Sequence, residues 1–256
     1  RHGVQVAGCE VVGLIPEYAM LDVAEHALQL ESFRRDQVLE LRPRRPPVSE
    51  AVTLGGLMDE VASPAPTPGG GTVSAVAGAL AASLAAMVAG LTLGKKKYAA
   101  AEPEMKQVRA RAESLRRTLL ALGRRDSEAF DAVLKARKLP QTTPAETEAR
   151  SKAVAAVELE ASRVPLRTAE ACLEVLELAA CVAKSGNPNA ITDAGVAGLL
   201  ARAGAEGAML NVQINLKSIA PGADTHDVET ALQRLQAALG PAARRCQEAV
   251  QTIISA

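Results

Sequence analysis

One stretch limits the possible folds more than any other: Ala62-Ser-Pro-Ala-Pro-Thr-Pro-Gly-Gly-Gly71 and the uncharged run behind it. Pro64, Pro66 and Pro68 hold the lead-in extended, since each fixes its own φ and steers the preceding residue out of the helical region. Gly69, Gly70 and Gly71 then open the backbone to close approach by a ligand or another segment. From Thr72 to Leu93 there is neither charge nor proline. Val73, Val76, Leu80, Leu84, Met87, Val88 and Leu91 recur there at helical spacing, opposite a face of Ala, Gly and Ser. The spacing predicts a central helix whose N-terminal amides open into the glycine loop, an end that attracts anions. Its small face (Ala75, Gly78, Ala79, Ala82, Ala86, Ala89) invites close backbone approach, within the domain or across a two-fold axis.

The run is long enough to span a bilayer. However, it is dominated by Ala, with Thr72, Ser74, Ser83 and Thr92 inside, so composition favours a buried core helix and no membrane partner. It is not a P-loop, because no Gly-Lys-Ser/Thr follows and no apolar strand precedes it. The 29 basic and 29 acidic residues balance, which gives no electrostatic footprint for nucleic acid. Four aromatic residues in 256, against abundant Ala and Leu, favour helix over sheet. Cys9, Cys172, Cys181 and Cys246 lack metal-ligand spacing and the three histidines are scattered, so a metal site is not expected. No signal peptide is visible, and the cytosol is the default compartment. The chain begins at Arg1, without methionine, which leaves room for it to be a piece of something longer.

Along the chain, Val4–Ile15 reads as a strand closed by Pro16, and Glu17–Leu30 as a helix. The basic, proline-rich Arg42–Glu50 reads as a linker, dividing a first segment (1–41) and a linker (42–50) from a helical domain (51–256). After a short helix capped by Thr53 and then the central helix, a long helix starts near Glu102, with Pro103 tolerated in its first turn. Its stripe is Met105, Val108, Ala112, Leu115, Leu119, Leu122, Ala129 and Val133. Asp126 occupies the stripe position between Leu122 and Ala129. A carboxylate at a core position must be paired or hydrogen-bonded, or have a raised pKa. It is either structural, in a helix-to-helix salt bridge or a shared hydrogen bond, or a general acid brought toward neutrality.

Thr143, Pro144 and Glu146 form a capping-box start for the next helix, which Pro165 interrupts. The loop Ser185-Gly-Asn-Pro-Asn-Ala-Ile-Thr-Asp193 gathers amides, a hydroxyl and a carboxylate. Thr192 or Asp193 can serve as an N-cap, which leaves Asn187 and Asn189 without an account. The segment from Ala194 to Ile219 is expected as one or two helices broken near Gly204 or Gly207, with Asn211 and Asn215 on one face. Pro221-Gly222 turns the chain, and a last helix from about Asp227 to Ile254 is expected to break at Gly240-Pro241. The domain after the linker is therefore all-α, a multi-helix bundle with long antiparallel helices, preceded by a short strand–helix remnant of an α/β domain.

APTPGGGTVSAVAGALAASLAAMVAGLTLGKKKY, RRDSEAFDAVLKARKLPQTTP, SGNPNAITDAGVA and NVQINLKSI, in that order, resemble the formimidoyltetrahydrofolate cyclodeaminase family, which also includes methenyltetrahydrofolate cyclohydrolases. The segment VQVAGCEVVGLIPEYAMLDVAEHAL is similar to the C-terminal end of a glutamate formimidoyltransferase domain, without that enzyme's catalytic half. The resemblance implies a cytoplasmic lyase of one-carbon metabolism and histidine catabolism. Such an enzyme closes 5-formimidoyl-tetrahydrofolate to 5,10-methenyl-tetrahydrofolate and releases ammonia. Its relatives open the methenyl bridge with water, and a non-catalytic dimerisation module is a third reading. The resemblance assigns the acid to Asp126, with Asp193 as the second candidate. It places Pro68, Gly69, Gly70, Gly71, Lys95, Lys96, Asn187, Asn189 and Asn215 around the substrate. Beyond the tetrahydrofolate substrate, in its polyglutamylated form, it implies no cofactor and no metal, and it implies a homodimer or higher homo-oligomer.

Overall fold

The computed structural model describes residues 17–29, 53–219 and 223–255. The expected strand Val4–Ile15, the linker Arg42–Glu50 and the turn Pro221-Gly222 lie outside the described residues. The chain divides into two compact units, Arg1–Leu54 and Gly55–Ala256. In the first, α1 (Glu17–Leu28) follows the helical spacing and ends at Gln29, whose φ of 52° is incompatible with continuing.

The second unit is built from α2 (Leu54–Ala62), α3 (Gly70–Thr92), α4 (Glu102–Arg137), α5 (Pro144–Ser185), α6 (Ile191–Ser218) and α7 (His226–Ile254). Among the described residues there is no strand, and the unit is all-α. The long α5 is its spine: α4, α3, α6 and α7 pack against it, and α4 packs against α3, α3 against α6 and α6 against α7. α5 begins as its residue types dictate. Thr143 Oγ1 accepts from the Glu146 N–H at 3.2 Å, and Glu146 Oε2 accepts from the Thr143 N–H at 2.9 Å. The α4 stripe is buried as its spacing requires, from Met105 through Leu122 and again at Val133.

The small face of α3 is used inside this unit. Ala75, Gly78, Ala79, Ala82 and Ala89 are buried, whereas Val73, Leu80, Met87 and Leu91 are exposed. Proximity explains the inversion. A Cβ at Gly78 would collide with the Cys172 sulfur of α5, and one at Gly204 of α6 would lie 2.8 Å from the Ser74 carbonyl of α3. Backbones this close require small residues at the points of contact, so Val73, Leu80, Met87 and Leu91 face outward, while Val88 is buried nearer the C-terminal end of α3. By length and composition α3 could cross a membrane, yet half of its most apolar window is buried within the helical unit.

Two expected helix breaks do not occur. α6 is continuous through Gly204 and Gly207, because both glycines serve close packing against Ser74 rather than a turn. α7 is continuous through Gly240 and Pro241. α5 likewise continues through Pro165, which is buried. Proline lacks the N–H that would bond the carbonyl four residues back. That carbonyl, of Ala161, instead accepts a hydrogen bond from Asn215 Nδ2 of α6 at 2.7 Å. Burial and this external donor together compensate for the missing rung.

Candidate functional site

The start of α3, the C-terminal half of α4, the first half of α5 and the end of α6 enclose a cavity of about 340 Å³. Gly69, Gly70 and Gly71 form one wall, and Asp126, Phe130 and Val133 of α4 form the next. Asn211, Ile214 and Asn215 of α6 face them, and Arg137 and Glu158 complete the lining.

Asp126 is half-buried and touches the first turn of α3. The Thr72 hydroxyl lies 3.4 Å from Asp126 Oδ2 and 3.1 Å from the Gly123 carbonyl, which it also reaches as a donor. Gly71 is what permits this approach, since a Cβ there would overlap the carboxyl group. The helix end that the glycine loop exposes is therefore turned toward the protein's own carboxylate. Two effects compete at Asp126. Burial favours the neutral acid, while the Thr72 hydroxyl and backbone N–H favour the anion; burial is the larger, and the pKa is raised. Among the described residues no ion pair involves Asp126. The partner present is the Thr72 hydroxyl and not a cation, which leaves out the salt bridge and is compatible with both a shared structural hydrogen bond and a general acid.

Asn215 reaches the cavity wall through the contact that closes the α5 ladder at Pro165. Pro68 stands in the same loop, and its bond to Thr67 is cis.

The other expected site residues lie elsewhere in this chain. α3 spans 23 residues, about 34 Å, and Lys95 and Lys96 follow its far end, both exposed. Asn187 is at that end too, buried and fully employed. Its N–H bonds Thr92 Oγ1 at 2.9 Å, its Oδ1 accepts from Tyr98 at 3.2 Å and from the Asn189 N–H at 3.1 Å, and its Nδ2 lies 3.4 Å from the Leu91 carbonyl. It ties the α5–α6 turn to the C-terminus of α3. Asn189 is exposed in this turn, and Asp193 sits in the first turn of α6, about 27 Å along that helix from Asn211. Within one chain, then, Gly69–Gly71, Asp126 and Asn215 come together, whereas Lys95, Lys96, Asn187, Asn189 and Asp193 belong to the opposite end of the bundle.

Three residues at the site carry little signal in the sequence. Thr72, which touches Asp126 from behind the cavity wall, is one more small polar residue in an Ala-rich helix. Arg137, in Lys-Ala-Arg-Lys, has the pattern of a solvated helix end. Glu158 offered a faint signal, a carboxylate between Val157 and Leu159 on a helix with a core stripe. It is 5% exposed and accepts from Arg137 Nη2 at 2.7 Å through Oε1.

Comparison with known proteins agrees with this architecture. The formiminotransferase-cyclodeaminase family model matches residues 53–237. A methenyltetrahydrofolate cyclohydrolase of Methylorubrum extorquens is 43% identical over 203 residues, covering 79% of this chain and 98% of that protein. The mouse formimidoyltransferase-cyclodeaminase is 31% identical over 242 residues, covering 84% of this chain but only 45% of the longer mouse protein. A further likeness, 54% over 41 residues, is to 14% of the glutamate formimidoyltransferase of Streptococcus pyogenes. The crystal structure of a formiminotetrahydrofolate cyclodeaminase from Thermotoga maritima superposes with a TM-score of 0.72 at 32% identity, covering 80% of this chain and 98% of that one. With its helical unit, its cavity and a family match across 53–237, the chain belongs to the formiminotransferase-cyclodeaminase family.

Proposed function

We propose that the chain closes 5-formimidoyl-tetrahydrofolate to 5,10-methenyl-tetrahydrofolate with release of ammonia. The observation that carries this reading is Asp126, a carboxyl held by Thr72 on a cavity wall and biased by burial toward its protonated form. In the reaction N10 attacks the protonated formimidoyl carbon on N5, and the new C–N10 bond leaves a tetrahedral carbon bearing an amine. Asp126 delivers its proton to that amine. The C–N bond breaks, ammonia departs, and the carboxylate recovers a proton from N10 as the methenyl cation forms. A positioned acid of this kind contributes about 10²–10⁴-fold. Proton transfer and orientation suffice, so folate is the one small molecule proposed, with Gly69, Gly70, Gly71 and Asn215 beside it and Pro68 fixing the loop. The likeness to a formimidoyltransferase supports this reaction, since such an enzyme makes the substrate, and with it our reading of a cytosolic role in histidine degradation.

The second reading is methenyltetrahydrofolate cyclohydrolase, favoured by the 43% identity over nearly the full length of a protein so named. There, water adds to the bridging carbon and the C–N5 bond breaks to give 10-formyl-tetrahydrofolate. Absorbance of the methenyl chromophore separates the two. It rises with 5-formimidoyl-tetrahydrofolate if the first reading holds, and falls with added methenyl-tetrahydrofolate if the second does. No change with either substrate would defeat both. A homo-oligomer is proposed as well, with a second copy covering the exposed Val73, Leu80, Met87 and Leu91 of α3. A monomer by light scattering at micromolar concentration, fully active, would refute it.

A further inference from the structure

Glu158 is the most deeply buried charged group in the cavity lining, at 5% exposure. Its Oε1 accepts from Arg137, but no described residue donates to Oε2. The Glu158 side chain is 6% exposed, and Oε2 is not sealed off: among the described residues the one fully buried side-chain atom without a partner is Arg167 Nε. Oε2 is thus a free acceptor on the cavity wall, open to a donor on whatever fills the cavity. Ionised carboxylate is acceptor-only, so the matching group is a donor edge. Resting on the folate reading above, we propose that Glu158 recognises the donor edge of the pteridine ring, where the 2-amino group and N3–H lie side by side.

The rest of the cavity suits a flat ring held this way. Phe130, Val133 and Ile214 supply apolar walls between the Glu158 end and Asp126. Asp126 and Arg137 are three turns apart on α4, about 16 Å of rise. Long side chains lean toward the N-terminus of their own helix, so Arg137 and the carboxylate it holds close part of that span. A ring anchored by Glu158 at its pyrimidine edge extends its N5 side toward Asp126. Arg137 is a positioning residue in this arrangement: it occupies Oε1 and leaves Oε2 to the ligand.

The test is equilibrium binding, which requires no turnover. Calorimetry on the full chain compares 5-formyl-tetrahydrofolate with its 2-deamino-2-methyl analogue, for the parent protein, Glu158→Gln and Arg137→Gln. A hydrogen bond to a charged group sets the expected preference of the parent for the 2-amino ligand at about tenfold to hundredfold. In Glu158→Gln that preference should shrink to within about threefold, because the amide offers a donor where the ring has one. Arg137→Gln keeps the carboxylate and should keep most of the preference. Equal binding of the two ligands by the parent, or an undiminished preference in Glu158→Gln, overturns the assignment. Loss of preference in both variants alike also overturns it, since the ion pair alone would then account for the effect. If Glu158→Gln does not fold, the two ligands on the parent protein still decide. A parent that binds neither ligand removes the folate reading itself, a result distinct from binding both equally.

Discussion

Gly71→Ala tests how the acid is positioned, with one methyl group. The added Cβ would lie 2.5 Å from Asp126 Cγ, where carbon atoms in contact ordinarily keep about 3.5–4.0 Å. The obstructing atoms are the end of a short side chain, not backbone, so the carboxyl retreats by about 1 Å while the helices stay in place. In retreating it surrenders the Thr72 hydroxyl, already at 3.4 Å. A misplacement of about 1 Å costs on the order of 10²-fold in rate, and full loss of the acid about 10²–10⁴-fold. Turnover should therefore fall about 10²-fold or more. Stability should barely change. Replacing a helical glycine by alanine gains about 0.5–1 kcal/mol, which offsets roughly the 1 kcal/mol of one lost hydrogen bond. Methenyl absorbance gives the rate, and calorimetry gives Tm. A variant with more than half the parental turnover would refute the argument. So would one that unfolds many degrees earlier, because the helices and not the carboxyl would then have moved.

Asp126→Asn keeps size and hydrogen bonding but cannot supply the proton, and turnover should drop by about 10²–10⁴-fold with folding intact; near-normal turnover would end the case for this residue. The same side chain predicts a pH dependence of stability. Its folded pKa is raised, so the folded state holds the proton more tightly than the unfolded chain. That contribution is full below the ordinary carboxylate pKa and is lost as pH climbs through the raised folded value. Asn should remove this slope in Tm measured against pH, and parental turnover should decline over the same rise. Asn215→Ala should cost about 1–3 kcal/mol by orphaning the Ala161 carbonyl. In a Pro165→Ala background, where a backbone N–H is available again, the cost should be smaller, and additive denaturation energies would disprove the coupling. Asn187→Ala removes three side-chain hydrogen bonds at the far end of α3 and should lower Tm by several degrees. Its KM for folate should be unchanged if this end is structural within each chain, and a large rise in KM would show that it meets substrate.

Helix identity, the capping box at Thr143 and the stripe of α4 were legible because they depend on neighbours within a turn or two of the chain. Asp126 stood out for the same reason, as a carboxylate interrupting a period of three and four. Where a helix turned its faces was a different matter. Val73, Leu80, Met87 and Leu91 follow helical spacing as well as any core stripe, but the close approach of α5 and α6 calls for small residues on the inside of α3, at Ala75, Gly78, Ala79 and Ala82. Gly204 and Gly207 are local signals for a break, yet the proximity of Ser74 gives them another use. Asn215 could be noticed in the sequence, but its bond to the carbonyl that Pro165 leaves free joins residues 54 positions apart. The placement of Lys95, Lys96, Asn187, Asn189 and Asp193 away from Asp126 follows from the length and direction of α3 and α6. Local pattern is set by rotation about the backbone of a few residues, and the sequence carries it openly. Which groups share a cavity depends on interhelical distances that no single segment contains, and only the packed bundle decides it.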